Sequence, residues 1–272
     1  MILVITVNYN NAELTNQMIE SIYQSDFEKN NVKILVIDND SNDKEQLKIN
    51  KFVKVIFLNE NIGYFPALNK GIESVCVDEF DKIIICNNDL KFDKDFFSKL
   101  RKTEYLDNVY AICPRIIDLD GIDQNPSLDK KISRLKIFFY DIYYLNYYFG
   151  KFIYTIWQKI KKRRKPGEID LNNRNIFLGY GAIYILTKKF FQYNTSLDTP
   201  PFLMGEEAFL AFQISKTGGV QYFDSSLIVH HKDHSSCNKV PQQKMYLYTK
   251  NSYKFYRKKL LELPIIKGKT KE

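Results

Sequence analysis

Asp89 is a candidate metal ligand, because it follows a short apolar run in the stretch IIICNNDLKF at residues 83–92. A buried strand that ends in a carboxylate next to Asn87 and Asn88 supplies oxygen ligands. Such ligands suit Mg²⁺ or Mn²⁺, which bind one or two carboxylates together with substrate phosphates. Asn and Asp are also favoured in turns, so a strand-to-turn transition is the alternative. This stretch alone leaves both interpretations open.

Asp38 also comes directly after an apolar run, at the start of the acidic stretch DNDSND. A buried acid at a strand end can accept hydrogen bonds from the N–H of a nucleotide base or from a ribose. The alternative is an Asx turn that caps the following helix, which suits Asp43 better than Asp38.

Glu206 and Glu207 begin a predicted helix within the apolar stretch FLMGEEAFLAF. Carboxylates in a first turn are stabilised by the helix dipole, which is the structural explanation. Burial among apolar residues would raise a carboxyl pKa toward that of a general base, which is the catalytic explanation.

The three histidines of the chain, His230, His231 and His234, lie within five residues. A single histidine is usually structural, but a cluster after a strand is a candidate for metal or phosphate contact.

The elements that would position these residues alternate between strand and helix. Apolar runs predict strands at 2–7, 32–38, 53–59 and 82–86, and helical spacing predicts helices at 12–27 and 65–76. This order favours a parallel sheet covered by helices on both faces. Each strand ends in a polar cluster, and ligands of such sheets bind outside the carboxyl ends of the strands. The four clusters therefore predict one site.

The second half of the chain is less regular. We expect strand character at 111–117 and 176–187, a helix at 205–219, a strand pair or one bent strand at 220–231, and a Lys-rich helix at 241–263. The domain organisation predicted is one domain at 1–240, with an insertion at about 127–170, followed by a C-terminal helix and tail at 241–272.

The composition is ordinary for a globular protein, with 44% hydrophobic and 26% charged residues. The four cysteines are scattered, which predicts reduced thiols and argues against a disulfide framework or a zinc site. The first residues, MILVITVNYNN, are expected to form a strand and not a signal peptide. No segment has the roughly 20 apolar residues of a membrane span, so an integral membrane protein is not expected.

The insertion is basic and aromatic. From Lys130 to Lys165 there are eleven Lys and Arg residues and one acid, Asp141, so its net charge is +10, and eleven aromatic residues lie between Phe138 and Trp157. Such a segment at 130–165 could lie on an anionic membrane surface. Alternatively, it could be a helical hairpin packed on the core or against a second subunit in a homodimer. Nucleic acid is not expected as a partner, because no nucleic-acid-binding motif is present.

Six ordered motifs together resemble those of bacterial family 2 glycosyltransferases with the GT-A fold, especially the rhamnosyltransferase-like branch. The resemblance covers about 1–120 and 175–235. The motifs are VNYNN, VIDNDSND, NENIGYFPALNKGI, CNNDL, LGYGAIYILTKKFF and FLMGEEAFLAFQISKTGGVQYFDSSLIVHH.

This resemblance implies a role for each matching residue. Asp89 would bind the divalent ion, Mg²⁺ or Mn²⁺, that holds the donor diphosphate, and His230 would lie near that ion. Glu207, or its neighbour Glu206, would be the catalytic base. Asp38 would contact the nucleotide base. The full set of residues implied for donor binding is Val7, Asn8, Tyr9, Asn10, Asp38, Asn61, Gly63, Asn69 and Asn88.

The activity implied is inverting transfer of a hexosyl or rhamnosyl group from a nucleoside-diphosphate sugar, UDP- or dTDP-linked. The acceptor would be a saccharide or a polyprenyl-linked saccharide in the synthesis of capsule or another cell-surface polysaccharide. The location implied is cytoplasmic, peripheral on the inner face of the cell membrane.

The sequence departs from the family pattern at several positions. Asn87 replaces the first acid of the metal motif, Glu207 replaces the Asp of a Glu-Asp pair, and Phe209 replaces a further Asp. A non-catalytic saccharide- or membrane-binding relative is therefore the alternative. A nucleotidyltransferase is disfavoured, because NYNNAELT has no glycine for a phosphate-binding loop.

Overall fold

The computed structural model describes residues 1–26, 31–160, 166–200, 205–232 and 242–262. The strands in these ranges are β1 (Ile2–Asn8), β2 (Val32–Asp38), β3 (Val53–Phe57), β4 (Lys82–Cys86), β5 (Leu90–Phe92), β6 (Val109–Ile117), β7 (Arg174–Ile176), β8 (Ile183–Thr187) and β9 (Val220–His231). The helices are α1 (Ala12–Tyr23), α2 (Tyr64–Glu73), α3 (Phe96–Lys102), α4 (Arg134–Tyr143), α5 (Tyr147–Ile160), α6 (Lys188–Tyr193), α7 (Glu206–Lys216) and α8 (Gln242–Glu262).

The strands form one mixed sheet in the order β3-β2-β1-β4-β8-β6-β9-β5, and β7 pairs with β9 outside this path. The four strands from β3 to β4 run parallel. β8 is antiparallel to both β4 and β6, while β6 and β9 are parallel. The expected α/β fold, with a mostly parallel sheet flanked by helices, is confirmed.

The core lies on both faces of the sheet. Val4 belongs to the apolar cluster that includes residues of α1 and α3, whereas the next residue, Ile5, belongs to the cluster that includes residues of α2 and α7. Successive side chains of a strand point to opposite faces, so a strand buried on both faces must be apolar throughout. This explains the uninterrupted apolar runs.

The register of the parallel strands brings their carboxyl ends to one edge. Asn8, the last residue of β1, lies opposite Asp38, the last residue of β2, and Thr6 lies opposite Cys86 at the end of β4. The polar segments that follow these strands therefore start side by side, as the sequence predicted.

The strand character expected over 176–187 is divided between two strands. Two strands, β7 and β8, are separated by a turn that contains Gly179 and Gly181, and they pair with different partners. The region 220–231 is one strand, β9, whose register against β6 shifts between Pro114 and Arg115. The three-residue strand β5 was not predicted, because so short a run has no readable period.

The aromatic insertion forms two helices, α4 and α5, which contact each other. The C-terminal helix α8 packs against α4 and against the rest of the domain. Asp141 of α4 accepts hydrogen bonds from Tyr253 Oη (2.7 Å) and from Arg257 Nη2 (2.7 Å), both on α8. α8 also contacts α7 through Tyr256 and Leu260, which pack with Phe212.

The described cysteines are free thiols. Cys86 and Cys113 are buried, which raises the pKa of both thiols, whereas Cys76 is exposed. Cys237 lies outside the described residues.

Candidate active site

A buried hydrogen-bond network forms the floor of the crevice at the strand ends. Asn8 Nδ2 donates to Asp38 Oδ2 (2.8 Å) and to Ser41 Oγ (3.0 Å). Asp38 Oδ1 accepts from the Ser41 N–H (3.0 Å), and Asn8 Oδ1 accepts from Thr15 Oγ1 (2.8 Å). Asn8, Asp38 and Thr15 are fully buried. The network therefore joins β1, β2 and α1 and is closed to solvent.

The loop after β3 is attached to the same floor. Asn39 Nδ2 donates to Asn61 Oδ1 (2.9 Å), and Asn39 Oδ1 accepts from the Ile62 N–H (3.1 Å). Asn61 Oδ1 also accepts from the Gly63 N–H (3.0 Å), and Gly63 has a φ of 92°, which favours glycine. This turn delivers the chain into α2.

Three other predicted donor-binding residues make contacts inside the protein. Asn88 Nδ2 donates to Thr15 Oγ1 (2.8 Å), so its amide points toward α1. Asn69 forms a pair of hydrogen bonds with the backbone of Leu197, at 2.9 Å and 2.8 Å. Val7 is buried among apolar residues. These three residues, like Asn8 and Asp38, brace the site in this structure.

The exposed groups above the floor are different residues. Tyr9 is 37% exposed, and Asn10 and Asp40 are exposed at the tips of their loops. Asn10 and Asp40 have positive φ values of 52° and 64°, an uncommon conformation that Asn and Asp tolerate best. The sequence analysis did not single out Asp40. The sequence contains an indication of it, because Asp40 is an acid two residues after the end of the apolar run that forms β2.

Asp89 and His231 approach each other at the next part of the crevice. Asp89 Oδ1 lies 3.2 Å from His231 Nε2, and both side chains are buried. His231 Nδ1 lies 2.8 Å from Gln124 Oε1, an acceptor, so Nδ1 is the donor in that hydrogen bond. Among the described residues, neither Asp89 Oδ1 nor His231 Nε2 has a hydrogen-bond partner beyond this 3.2 Å approach to the other.

His230 was implied as the histidine near the metal, but the structure places it elsewhere. Its Nε2 lies 3.0 Å from Asp93 Oδ1, and its side chain is about half exposed. His230 and His231 are consecutive on β9, so their side chains point to opposite faces of the sheet. The structure thus brings His231, and not His230, to Asp89. His234 lies outside the described residues.

The donor set at Asp89 fits a divalent cation. A histidine that ligates a metal typically donates its other ring N–H to a carbonyl, as His231 does to Gln124. The described residues contain no group of three or more His, Cys, Asp and Glu side chains that could hold a metal. Two protein ligands agree with Mg²⁺ or Mn²⁺ chemistry, in which substrate phosphates and water complete the coordination.

Glu207 lies across the crevice, in the first turn of α7. Burial raises the pKa of Glu207, while hydrogen bonds from its own backbone N–H and from the Gly181 N–H act in the opposite direction. The approach to Gly181 is close, since a Cβ on that residue would lie 2.5 Å from Glu207 Oε1. The neighbouring Glu206 is also buried. The apolar residues 202–204 expected beside these acids lie outside the described residues.

Tyr64, the first residue of α2, links the two halves of the site. Burial raises the pKa of Tyr64 well above its usual value, and the charges of Cys86, Asp89, Glu206 and Glu207 raise it further. The phenol is therefore a neutral O–H group that both the candidate metal ligand and the candidate base influence.

A cavity of about 250 Å³ opens beside Asp89, between α1 and β5. The residues that line it include Gln17, Glu20, Lys91 and Lys232. Lys232 follows β9 directly, and its N–H donates to the Asp89 carbonyl oxygen (3.0 Å). Asp89 itself contributes to the lining of this cavity.

The family model described as glycosyl transferase family 2 matches residues 3–178. The match includes Asp38 and Asp89 but ends before Glu207 and His231. None of the curated proteins matches the sequence.

Solved structures with a similar fold have low sequence identity. S. aureus TarS 1–349 in complex with UDP-GlcNAc has a TM-score of 0.55 at 12% identity, with 88% of this chain and 61% of that chain covered. GalNAc-T7 with UDP, GalNAc and Mn²⁺ has a TM-score of 0.59 at 17% identity, with 85% of this chain and 44% of that chain covered. The mannosyltransferase PcManGT from Pyrobaculum calidifontis, in complex with GDP-Man and Mn²⁺, has a TM-score of 0.55 at 12% identity, with 96% of this chain and 68% of that chain covered. The chain thus spans less than two thirds of the length of TarS and of GalNAc-T7.

Proposed function

The chain belongs to glycosyl transferase family 2 and has the GT-A fold, and from that premise we propose that it transfers a sugar from a nucleoside-diphosphate sugar to an acceptor hydroxyl, with inversion at the anomeric carbon. The observation that supports this activity best is the pair of buried atoms Asp89 Oδ1 and His231 Nε2, which lie 3.2 Å apart and have no other partner among the described residues, on the same crevice as the half-buried Glu207.

We assign the divalent cation to Asp89 and His231. When bound there, Mg²⁺ or Mn²⁺ would contact the donor diphosphate and neutralise the charge that develops on it as it leaves. His231 is held in the correct tautomer by Gln124, and Asp89 is held by the backbone hydrogen bond from Lys232. His230 takes no part in this proposal, because its ring is paired with Asp93.

Glu207 is proposed as the general base. Its raised pKa makes the carboxylate a better proton acceptor than an exposed glutamate. The proton of the acceptor hydroxyl would pass to Glu207 as the hydroxyl oxygen attacks the anomeric carbon, on the face opposite the leaving diphosphate. The bond from the anomeric carbon to the diphosphate oxygen breaks in the same step, which gives inversion. Glu206 is the alternative base.

The nucleoside is proposed to bind above the floor formed by Asn8 and Asp38. Asp38 would act through its neighbours, since both its oxygens accept hydrogen bonds from the chain itself. Tyr9 and Asp40 supply the exposed ring and carboxylate that a base could stack on and hydrogen-bond to. Solved structures of similar fold hold UDP, UDP-GlcNAc or GDP-Man. We retain a UDP- or dTDP-linked sugar as the donor.

The acceptor is proposed to be a saccharide, linked to polyprenyl phosphate and destined for capsule or another cell-surface polysaccharide. The support is the exposed aromatic and basic surface of α4 and α5, which would place the protein peripherally on the inner face of the membrane where such lipids are used.

The test is a thermal-shift panel of uridine, thymidine and guanosine diphosphate sugars, each with and without Mn²⁺. A donor at about 100 times its dissociation constant should add roughly 2.7 kcal/mol of stability, and Mn²⁺ should be needed for the full effect. Asn87 stands in place of an acid, so the second candidate is a non-catalytic relative. Release of nucleoside diphosphate upon addition of acceptor distinguishes an enzyme from such a relative. Absence of stabilisation by every nucleotide sugar would refute the proposal.

A further inference from the structure

Helix α5 exposes an apolar stripe to solvent. At about 100° per residue, Tyr148, Phe149, Phe152 and Ile156 lie within an arc of about 100° of the helix. All four are exposed, and Tyr148 and Phe152 have exposed fractions of 75% and 61%. In a helix of a globular domain, such a stripe normally faces the core.

The opposite side of α5 is the one that packs. Gly150 is buried, and a Cβ on it would lie 2.6 Å from the Tyr143 carbonyl oxygen. The ring of Tyr147 lies 5.3 Å from that of Tyr246 on α8. The orientation of α5 is thus fixed by close backbone approach on its inner side, and its aromatic stripe is directed away from the body.

Helix α4 has the same arrangement. Leu135, Phe138 and Phe139 lie within about 100° of each other on the helix and are exposed, whereas Ile137 on the other side is buried. We call the exposed residues of the two helices the aromatic face: Leu135, Phe138, Phe139, Tyr148, Phe149, Phe152 and Ile156. An exposed apolar face of this kind usually marks an interaction site.

Positive charge surrounds the aromatic face. Arg134 on α4 and Lys151 and Lys159 on α5 are exposed. Asp141, the one acid between Lys130 and Lys165, forms an ion pair with Arg257 on α8, so it leaves no negative charge for a partner. Aromatic side chains flanked by cations match the boundary between acyl chains and anionic headgroups.

We propose that the aromatic face binds the surface of a membrane that contains anionic lipids, with α4 and α5 lying in the headgroup region. A second copy of the chain fits less well, because a two-fold interface would place the same patch on both subunits and bring two basic segments together. None of the described helices is long and apolar enough to cross a membrane.

The aromatic face is connected to the candidate active site through α8. Tyr253 of α8 donates to Asp141 on α4, and Ser252 and Tyr256 lie against Gly205, the residue before Glu206. Membrane binding itself does not depend on the proposed function. The further statement, that it brings Glu207 to a lipid-linked acceptor, rests on that function.

Trp157, the one tryptophan of the chain, lies on α5 beside the aromatic face rather than within it, and it is 45% exposed, so its fluorescence reports on the surroundings of α5. The full chain would be titrated with vesicles of phosphatidylcholine alone and of phosphatidylcholine mixed with phosphatidylglycerol. Binding should shift the emission to shorter wavelength with the anionic vesicles, and the effect should weaken with salt. Co-sedimentation with the same vesicles measures binding itself, and no binding to anionic vesicles, or equal binding to neutral ones, would overturn the proposal.

Two variants and a matched control test the residues. The pair Phe149→Ser and Phe152→Ser should lower the partition coefficient at least about tenfold, because both rings lose their burial in lipid. The pair Lys151→Gln and Lys159→Gln should lower it about 30-fold, since each cation near an anionic surface contributes about 1 kcal/mol. The control pair, Leu106→Ser and Leu119→Ser, removes leucines that are 73% and 70% exposed elsewhere and should have no effect.

Sedimentation velocity of the wild-type chain gives the competing outcome. A dimer that the two phenylalanine substitutions dissociate, in a protein that does not bind vesicles, would show that the aromatic face binds a second copy. Nucleotide-dependent thermal stabilisation of the same variants should equal that of the wild type. This readout separates a failure of membrane binding from a failure of the proposed activity.

Discussion

Asp89 Oδ1 lies 3.2 Å from His231 Nε2, and a strand of three residues sets that spacing. Leu90, the first residue of β5, pairs directly with His231 on the antiparallel strand β9. The carboxylate that follows β4 and the imidazole at the end of β9 are 142 positions apart in the chain, and this ladder brings them together. The pair is thus a product of sheet topology.

Substitution of His231 should remove metal-dependent binding. His231→Ala should raise the Mn²⁺ concentration needed for half-maximal stabilisation by a nucleoside diphosphate at least about tenfold, because the ion would lose one of the two protein ligands proposed for it. Asp89→Ala should abolish the Mn²⁺-dependent part altogether. Thermal shift with and without Mn²⁺ measures both effects without any need for the acceptor.

His230→Ala is the matched control for this prediction. It removes a histidine one residue away whose ring is paired with Asp93 on the other face of the strand. It should leave the Mn²⁺ dependence unchanged. If His230→Ala and not His231→Ala weakened the response to Mn²⁺, the metal assignment made here would be wrong and the one implied by the family motif would stand.

Glu207→Gln should abolish sugar transfer while donor binding is retained. A base must be ionised to accept a proton, and burial raises the pKa of Glu207, so the rate should rise with pH through a value above the ordinary range of glutamate. The measurement is kcat against pH in the wild type, together with donor affinity in the variant. Glu206→Gln should keep most of the activity, and the reverse result would assign the base to Glu206.

The same raised pKa has a consequence for stability. The folded state binds the Glu207 proton more tightly than the unfolded state, so the unfolding free energy should fall as pH rises from the ordinary glutamate range through the raised value. Glu207→Gln has no proton to lose and should remove this part of the pH dependence. Urea unfolding of both proteins across that pH range measures the difference.

Much of the site could be predicted from the sequence because parallel strands are read from local patterns. The runs 32–38 and 82–86 coincide with β2 and β4, and the polar segments after them meet at one edge. Long apolar strands with polar ends determine both the sheet and the position of its crevice.

The orientation of individual side chains could not be predicted in this way. His230 and His231 have the same chemistry, and only the register of β9 against β5 decides which of them faces Asp89. Likewise, Asp38 ends β2 and Asp40 follows it two residues later, but only the tertiary structure shows that Asp38 is buried and hydrogen-bonded. A shift of one residue along a strand reverses the face, and the sequence pattern does not resolve that shift here.

Asp38→Asn should change the stability of the protein, whereas Asp40→Asn should change its affinity for the nucleotide. At position 38 the new amide group would face two donors, Asn8 Nδ2 and the Ser41 N–H, and the lost hydrogen bonds in a buried place should cost about 1–3 kcal/mol of stability. Asp40 is exposed, so Asp40→Asn should leave stability unchanged and weaken nucleotide binding. Chemical unfolding and nucleotide titration of each variant measure both quantities. Equal nucleotide affinity in Asp40→Asn and wild type would exclude Asp40 from the nucleoside site.

Gly181→Ala should impair catalysis with little loss of stability. The new Cβ would lie 2.5 Å from Glu207 Oε1, which is the far end of a flexible side chain, so the carboxylate should move away and lose the hydrogen bond from the Gly181 N–H. A displaced base lowers kcat but not donor affinity, and a loss of about a hundredfold is typical of general base removal.

Gly179→Ala, two residues earlier, is the comparison that makes this result specific. There the Cβ would lie 2.6 Å from Cys113 Sγ and 2.7 Å from Tyr184 Cε1, which are buried core atoms that cannot move aside. Overpacking of this kind costs about 1–3 kcal/mol, so Gly179→Ala should lower the unfolding free energy. The two variants should therefore differ: Gly181→Ala should lower kcat, and Gly179→Ala should lower the unfolding free energy. A Gly181→Ala protein with normal kcat would show that the observed position of the Glu207 carboxylate is not required for transfer.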